Sequence, residues 1–171
     1  MSYNIHPIFV HFPIAFLFVY SIVKILPLQK WLPRISWKQI ERTLLVIGTL
    51  GALVANQTGE IAEHLLEVDH QIVEMHSFFA SLTIFLFGIL LIGEIIQVLN
   101  KDYISQWKLD RRIKSFSIII EKLICNKLIS ILLILMGLIT LTLTGLLGGI
   151  LVYGTTADPF AEIVLRLLKL Q

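Results

Sequence analysis

Five histidines are the side chains with the widest chemical range in this chain, and they are unevenly placed. His6 and His11 lie in "HPIFVHFPIA", His64 and His70 flank "LLEVD", and His76 closes "HQIVEMH". An imidazole can ligate a metal, carry a proton or hydrogen-bond through either ring nitrogen. Glu60 in "NQTGE" and Tyr153 in "GGILVYG" are the polar residues that could support such a group. The single cysteine, Cys125, excludes an internal disulfide, a CxxC redox pair, an iron–sulfur cluster and a covalent CxxCH haem. No nucleophile–base pair stands out, so binding or electron transfer is expected ahead of catalysis. No nucleic-acid motif is present.

The elements that must position these residues follow from composition. Of 171 residues 56% are apolar and 15% charged, where about 25% charged is usual for soluble domains. The mean hydropathy is +0.83. So few charges could not coat a water-soluble surface of this size, and the excess apolar surface must face lipid. A crossing helix needs about 20 mostly apolar residues. Four stretches qualify, at 7–26, 43–62, 75–99 and 128–152. The expectation is an all-α polytopic membrane protein: one domain over 1–171, built as a four-helix transmembrane bundle. In the first stretch the basic residues follow the apolar run and no small-residue cleavage site appears, which argues against a cleaved leader. Two amphipathic segments, 103–121 and 158–170, should lie along the membrane surface, the second started by Asp158 as N-cap with Pro159 after it.

Four spans put both termini on one side, together with the 59–75 connection. Twelve of the fourteen lysines and arginines fall on the opposite side or its edge, and only Arg166 and Lys169 on the terminal side. The positive-inside rule then predicts both termini outside, in a bacterial inner membrane. Glu94, near the exit of the third span, is expected to snorkel to the cytoplasmic surface.

All five histidines fall on the terminal side. At 1.5 Å per residue, His11 lies roughly 7–8 Å further along its helix than His6, and His76 about 9 Å beyond His70. Counted this way, His11 and His76 reach similar depth on different helices. Ionisable groups within spans are costly and usually face the bundle interior. The pair could supply the axial ligands of a b-type haem, with His6 as substitute ligand and Glu60 and Tyr153 as hydrogen-bonding support. Alternatively His6, His11 and His76, with Glu60, could hold zinc, copper or iron without haem. In a third reading the histidines are structural and the protein is a partner-binding subunit with no cofactor. His64 and His70, on an acidic connection, read as solvated. "NQTGE" is expected to face the interior, with Gly59 giving room for close helix approach. Besides the bilayer, the expected partners are a periplasmic or membrane redox protein, or a second copy of the chain.

"HPIFVHFPIA", "TGEIAE", a histidine opening the third span and "GGILVYG" occur in that order. In this the chain resembles a family of bacterial membrane proteins catalogued as domain of unknown function 2231. The matching positions are His6, Pro7, His11, Phe12, Pro13, Gly59, Glu60, His76, Gly148, Gly149 and Tyr153, and the likeness runs from His6 to about Gly154. In that family a glutamate often follows the third-span histidine; here Ser77 does. The resemblance implies a four-helix membrane domain. Relatives fused to cytochrome c or iron–sulfur modules imply electron transfer.

Overall fold

A computed structural model describes residues 5–63, 69–101 and 111–170. Its helices are α1 (His6–Ile25), α2 (Leu28–Trp31), α3 (Trp37–Glu63), α4 (His70–Leu99), α5 (Arg111–Ile124), α6 (Lys127–Tyr153) and α7 (Ala161–Leu167). Among the described residues there is no strand. Helices α1, α3, α4 and α6 are each long and apolar enough to cross a membrane. The four expected stretches are thus all helical, and three of them run further: α3 gains its basic first turns from Trp37, α4 starts at His70, and α6 is one residue longer at each end. Helix α1 packs on α3 and α6, and α4 packs on the same two, so α1 and α4 face each other across the diagonal of an up-down-up-down bundle.

Each long helix buries one stripe. Pro13, Leu17, Tyr20 and Ser21 are buried on α1, Thr83, Leu86, Phe87 and Leu90 on α4, the three-and-four spacing of a single helix face. On α3 the buried residues are mostly small (Gly48, Thr49, Ala52 and Ala55). With no hydrophobic drive between helices in lipid, close packing over small residues is what holds them together. Leu17, Leu45, Phe87 and Ile134 are fully buried at the centre. Two hydroxyls join α4 to α6 there: Thr83 donates to Thr140 Oγ1 at 2.9 Å, and Thr140 donates to the Gly137 carbonyl at 3.0 Å. The opposite faces carry large exposed apolar side chains such as Phe12, Phe18, Leu50, Phe85 and Ile139. These are the surfaces a bilayer would cover.

The short elements trim the ends. Asn126 accepts from the amides of Leu128 and Ile129 and starts α6; Gly154, at φ 76°, ends it in a conformation that costs glycine nothing. The expected surface segment 103–121 is only partly inside the described residues: 103–110 lies outside them, and α5 extends to Ile124. Its Ser117 and Glu121 bond to Asn100 at the end of α4, leaving Phe116, Ile119 and Leu123 exposed on the other side. Asp158 caps a turn, accepting from the Phe160 amide at 2.8 Å, and α7 begins only at Ala161, three residues after the expected start. Helix α7 seats Ala161 and Leu165 against Leu147 and Ile150 of α6.

A Cβ on Gly48 would stand 2.6 Å from Leu17 Cδ2 and 3.2 Å from the Leu17 backbone nitrogen, so both side chain and helix would have to move. Gly48→Ala should cost about 1–3 kcal/mol in thermal or denaturant unfolding in detergent. Gly88→Ala, with nothing within 4 Å of the new methyl, should cost nothing; equal effects would show that α1–α3 contact is not the constraint.

Candidate functional site

Polar side chains gather at the two ends of the bundle, one layer around histidines and one around Glu94. At the histidine end the structure pairs His6 with His76, not His11 with His76. The His6 and His76 ring centroids lie 6.4 Å apart with the ring planes at 89°. All four long helices build this layer. His6 comes from α1 and His76 from α4. Helix α3 supplies Thr58, whose Oγ1 lies 3.0 Å from His6 Nδ1, and α6 supplies the Thr144 carbonyl, 3.0 Å from His76 Nδ1. Two glycines admit the rings: a Cβ on Gly59 would stand 3.2 Å from His6 Cε1, and one on Gly148 3.1 Å from His76 Cε1. Each imidazole therefore lies directly against the neighbouring helix backbone.

The bond at His76 fixes its tautomer. A carbonyl only accepts, so His76 Nδ1 carries a proton and donates to Thr144. The Thr58 hydroxyl donates to the Ala55 carbonyl at 2.9 Å, and both Thr58 and that carbonyl bond to the His6 ring. In the neutral form His76 then carries its lone pair on Nε2. An imidazole held by Nδ1–H to a carbonyl or hydroxyl is oriented as metal-ligating histidines usually are.

The other expected site residues lie elsewhere. His11 is exposed, and its Nδ1 donates to the Pro7 carbonyl one turn back on its own helix. Five residues separate it from His6, about 140° around a helix, so the two cannot share an inward face. Glu60 is exposed, and Tyr153 is 72% exposed; the structure does not bring either to the ring pair. Of "NQTGE", Thr58 and Gly59 face inward while Gln57 and Glu60 are exposed. His70 and Glu74 are both exposed; His64 lies outside the described residues. Among the described residues no three histidine, cysteine, aspartate or glutamate side chains gather as a metal site.

Depth counting paired the wrong imidazole because the helices differ in length. Helix α4 has 30 residues and α1 has 20. The first turns of α4 stand above the start of α1, and His76, six residues in, comes level with His6.

The second layer was missed in the sequence. Glu94 does not snorkel outward: its side chain is 11% exposed and takes bonds from Lys38 Nζ and, at 3.0 Å, from Arg42 Nε, with Lys24 Nζ at 3.7 Å. Lys24 also donates to Glu41 at 2.8 Å. The cluster ties α1, α3 and α4 together. Cys125 sits beside it, half-buried, and donates weakly to the Gly93 carbonyl at 3.7 Å. Burial first, and then the Glu94 carboxylate, push its thiol above the usual range, which keeps it protonated and unreactive. The available signal was the stripe itself: Glu94 stands four residues after buried Leu90, and Lys24 four after buried Tyr20.

The chain belongs to the family described as "Predicted membrane protein (DUF2231)", whose model matches residues 2–157. No curated protein and no solved structure matches it. Of the positions that carry the resemblance, His6, Gly59, His76 and Gly148 meet at the ring pair.

Nitrogen-15 NMR of histidine-labelled protein in detergent should show an Nδ1-protonated neutral ring for His76. Thr58→Val should alter the His6 signals and leave those of His76 in place. An Nε2-protonated His76 would contradict the bond to Thr144.

Proposed function

We propose that this chain is a membrane-embedded redox-metal-binding protein whose ligands are His6 and His76, serving one-electron transfer at the face where its histidines gather. The observation that carries the reading is the ring pair itself: two imidazoles from opposite helices, 6.4 Å apart, each held through Nδ1 by a neighbouring helix.

The separation suits one metal between the rings. Two metal–nitrogen bonds of about 2 Å each, with about 1 Å from each nitrogen to its ring centre, put facing centroids about 6 Å apart. The donor count favours haem b over a bare ion. Haem iron leaves two axial positions for the protein, whereas structural zinc takes four ligands. Both rings are half-buried, so the site is open at one edge. When bound, haem supplies the one-electron couple. The chain's own part is to hold and orient: Thr58 and Thr144 hold the imidazoles through Nδ1, and Gly59 and Gly148 give the ring seats. This assignment replaces His11 by His6 as the partner of His76 and gives Glu60 and Tyr153 no ligand role.

The charge pattern supports an orientation with this end outside. The connection at the histidine end is acidic, and twelve of fourteen basic residues lie toward the other end, so the positive-inside rule puts both termini on the periplasmic side of an inner membrane. A redox partner would then be a periplasmic protein or a neighbouring membrane protein.

Full-length protein expressed with haem supplied and purified in detergent should show a Soret band. His6→Ala and His76→Ala should each abolish it, and His11→Ala should retain it. Stoichiometric zinc, copper or iron without a Soret band would replace haem by a bare ion. Neither band nor metal would leave the histidines a structural role.

A further inference from the structure

The charged layer at the other end encloses a cavity that the histidine site does not use. It measures about 250 Å³, and Tyr20, Lys24, Lys38, Glu94, Gln97 and Lys127 are among its lining residues. Three ammonium groups and one carboxylate face this space. Counting their neighbours and Glu121, which acts on the lining residue Cys125, Lys24, Lys38, Arg42 and Lys127 stand against Glu41, Glu94 and Glu121, four positive charges against three negative. Lys38 and Lys127 are exposed, whereas Lys24 and Glu94 are largely covered, so the positive excess faces a partly open space where it attracts an anion.

A second observation points into the same space. Tyr20 is 1% exposed, yet its hydroxyl has no hydrogen-bond partner among the described residues. The ring is covered but the oxygen is not sealed off, and Tyr20 lines the cavity, so the phenol can donate to whatever fills that space. Here the nearby protein oxygens within electrostatic range are carboxylates already held by lysine and arginine. A cavity of this size is smaller than the roughly 300–1,000 Å³ of drug-sized ligand sites. It holds a few waters, each taking about 30 Å³, or one tetrahedral oxyanion with its nearest waters.

We propose that this cavity binds a phosphate oxyanion, as free inorganic phosphate or as the headgroup of a phospholipid. Lysine ammonium groups recognise phosphate as point charges, and three of them with a phenol donor surround the space. An excess of one positive charge matches the single charge of a phosphodiester or of the singly ionised form of inorganic phosphate. For the lipid form, an apolar cleft of about 180 Å³ between α3 and α4, lined by Leu45, Val46, Leu91, Ile95 and Val98, opens beside the same Glu94 carboxylate and would seat an acyl segment. The inference does not depend on what the histidine pair holds.

The test uses full-length protein in detergent, freed of lipid by exchange, with inorganic phosphate as the first probe. The thermal midpoint should rise with phosphate and not with chloride at equal ionic strength. The half-saturating phosphate concentration should rise about tenfold in Tyr20→Phe and in Lys127→Gln, each of which removes one charge-assisted bond. Tyr20→Phe keeps the ring packed on Phe87, so it should fold as the parent does. The second arm is native mass spectrometry of protein taken from nanodiscs containing phosphatidylglycerol. One retained phospholipid per chain, lost in both variants, with no response to inorganic phosphate, assigns the headgroup form. A phosphate response equal to that of chloride together with no retained lipid overturns the proposal. So does phosphate or lipid binding that both variants leave unchanged.

Discussion

The structure depends on a match in level between two parallel helices that face each other across the bundle. On α1, His6 and Lys24 are 18 residues apart, and on α4, His76 and Glu94 are 18 residues apart. Eighteen residues make five turns, so each pair shares a face, about 27 Å apart along the axis. That is close to the roughly 30 Å thickness of a hydrocarbon core. His6 meets His76 at one end, and Lys24 approaches Glu94 to 3.7 Å at the other. A shift of α4 by one turn along α1 would pull both polar pairs into acyl chains or into the apolar stripe, where each unpaired group would cost several kcal/mol. Packing of leucine on leucine tolerates such a slip; the two end layers do not. Register is therefore set by polar contacts, while the apolar stripe supplies bulk cohesion.

The antiparallel helices α3 and α6 then act as supports. Each contributes a hydrogen-bond acceptor for an imidazole and a glycine that lets the ring reach it. The two half-sites follow one design, ring from α1 onto α3 and ring from α4 onto α6, although the sequence shows no internal repeat. Small residues on α3 bring its backbone near enough for this. A side chain at Gly48 would push α1 away from α3 and carry His6 off its seat, so packing at mid-bundle and geometry at the histidine layer are coupled through one rigid helix.

Much of the fold was legible because lipid imposes a simple rule. Apolar runs long enough to cross must be helices, and all four appeared as such. Orientation of the buried faces was harder. The hydropathy of α1 and α4 is high all round, so periodicity gives little contrast. His11 illustrates the failure: it lies in the most recognisable motif of the chain, yet it satisfies itself on the Pro7 carbonyl and faces outward. The reliable clue was angular, not axial. His6 falls seven residues before Pro13 and eleven before Leu17, on the stripe that is buried, whereas His11 is off it. Glu94 shows the converse error. A charge near a span end reads as a surface residue until its position on the buried stripe is counted. Residues 64–68 and 102–110 lie outside the described residues, so the expected roles of His64 and the first half of the basic connection have no counterpart in this structure.

The two layers are chemically separate. Between them Leu17, Leu45, Phe87 and Ile134 are each fully buried, and the intervening hydroxyls do not bridge the gap. Thr83 and Thr140 bond to each other and to carbonyls, and Thr49 Oγ1 is buried without a partner. A proton relay needs a chain of groups that both donate and accept, and this one breaks at the apolar centre. Any ligand of the histidine layer must therefore exchange with the face it lies on or with a neighbour in the bilayer. The charged layer, in turn, has no hydrogen-bonded path to the imidazoles among the described residues. What does connect them is mechanical: α1 and α4 run unbroken from one layer to the other, Pro13 included. A bundle built this way can hold two imidazoles in a fixed relation without burying a third ligand beside them.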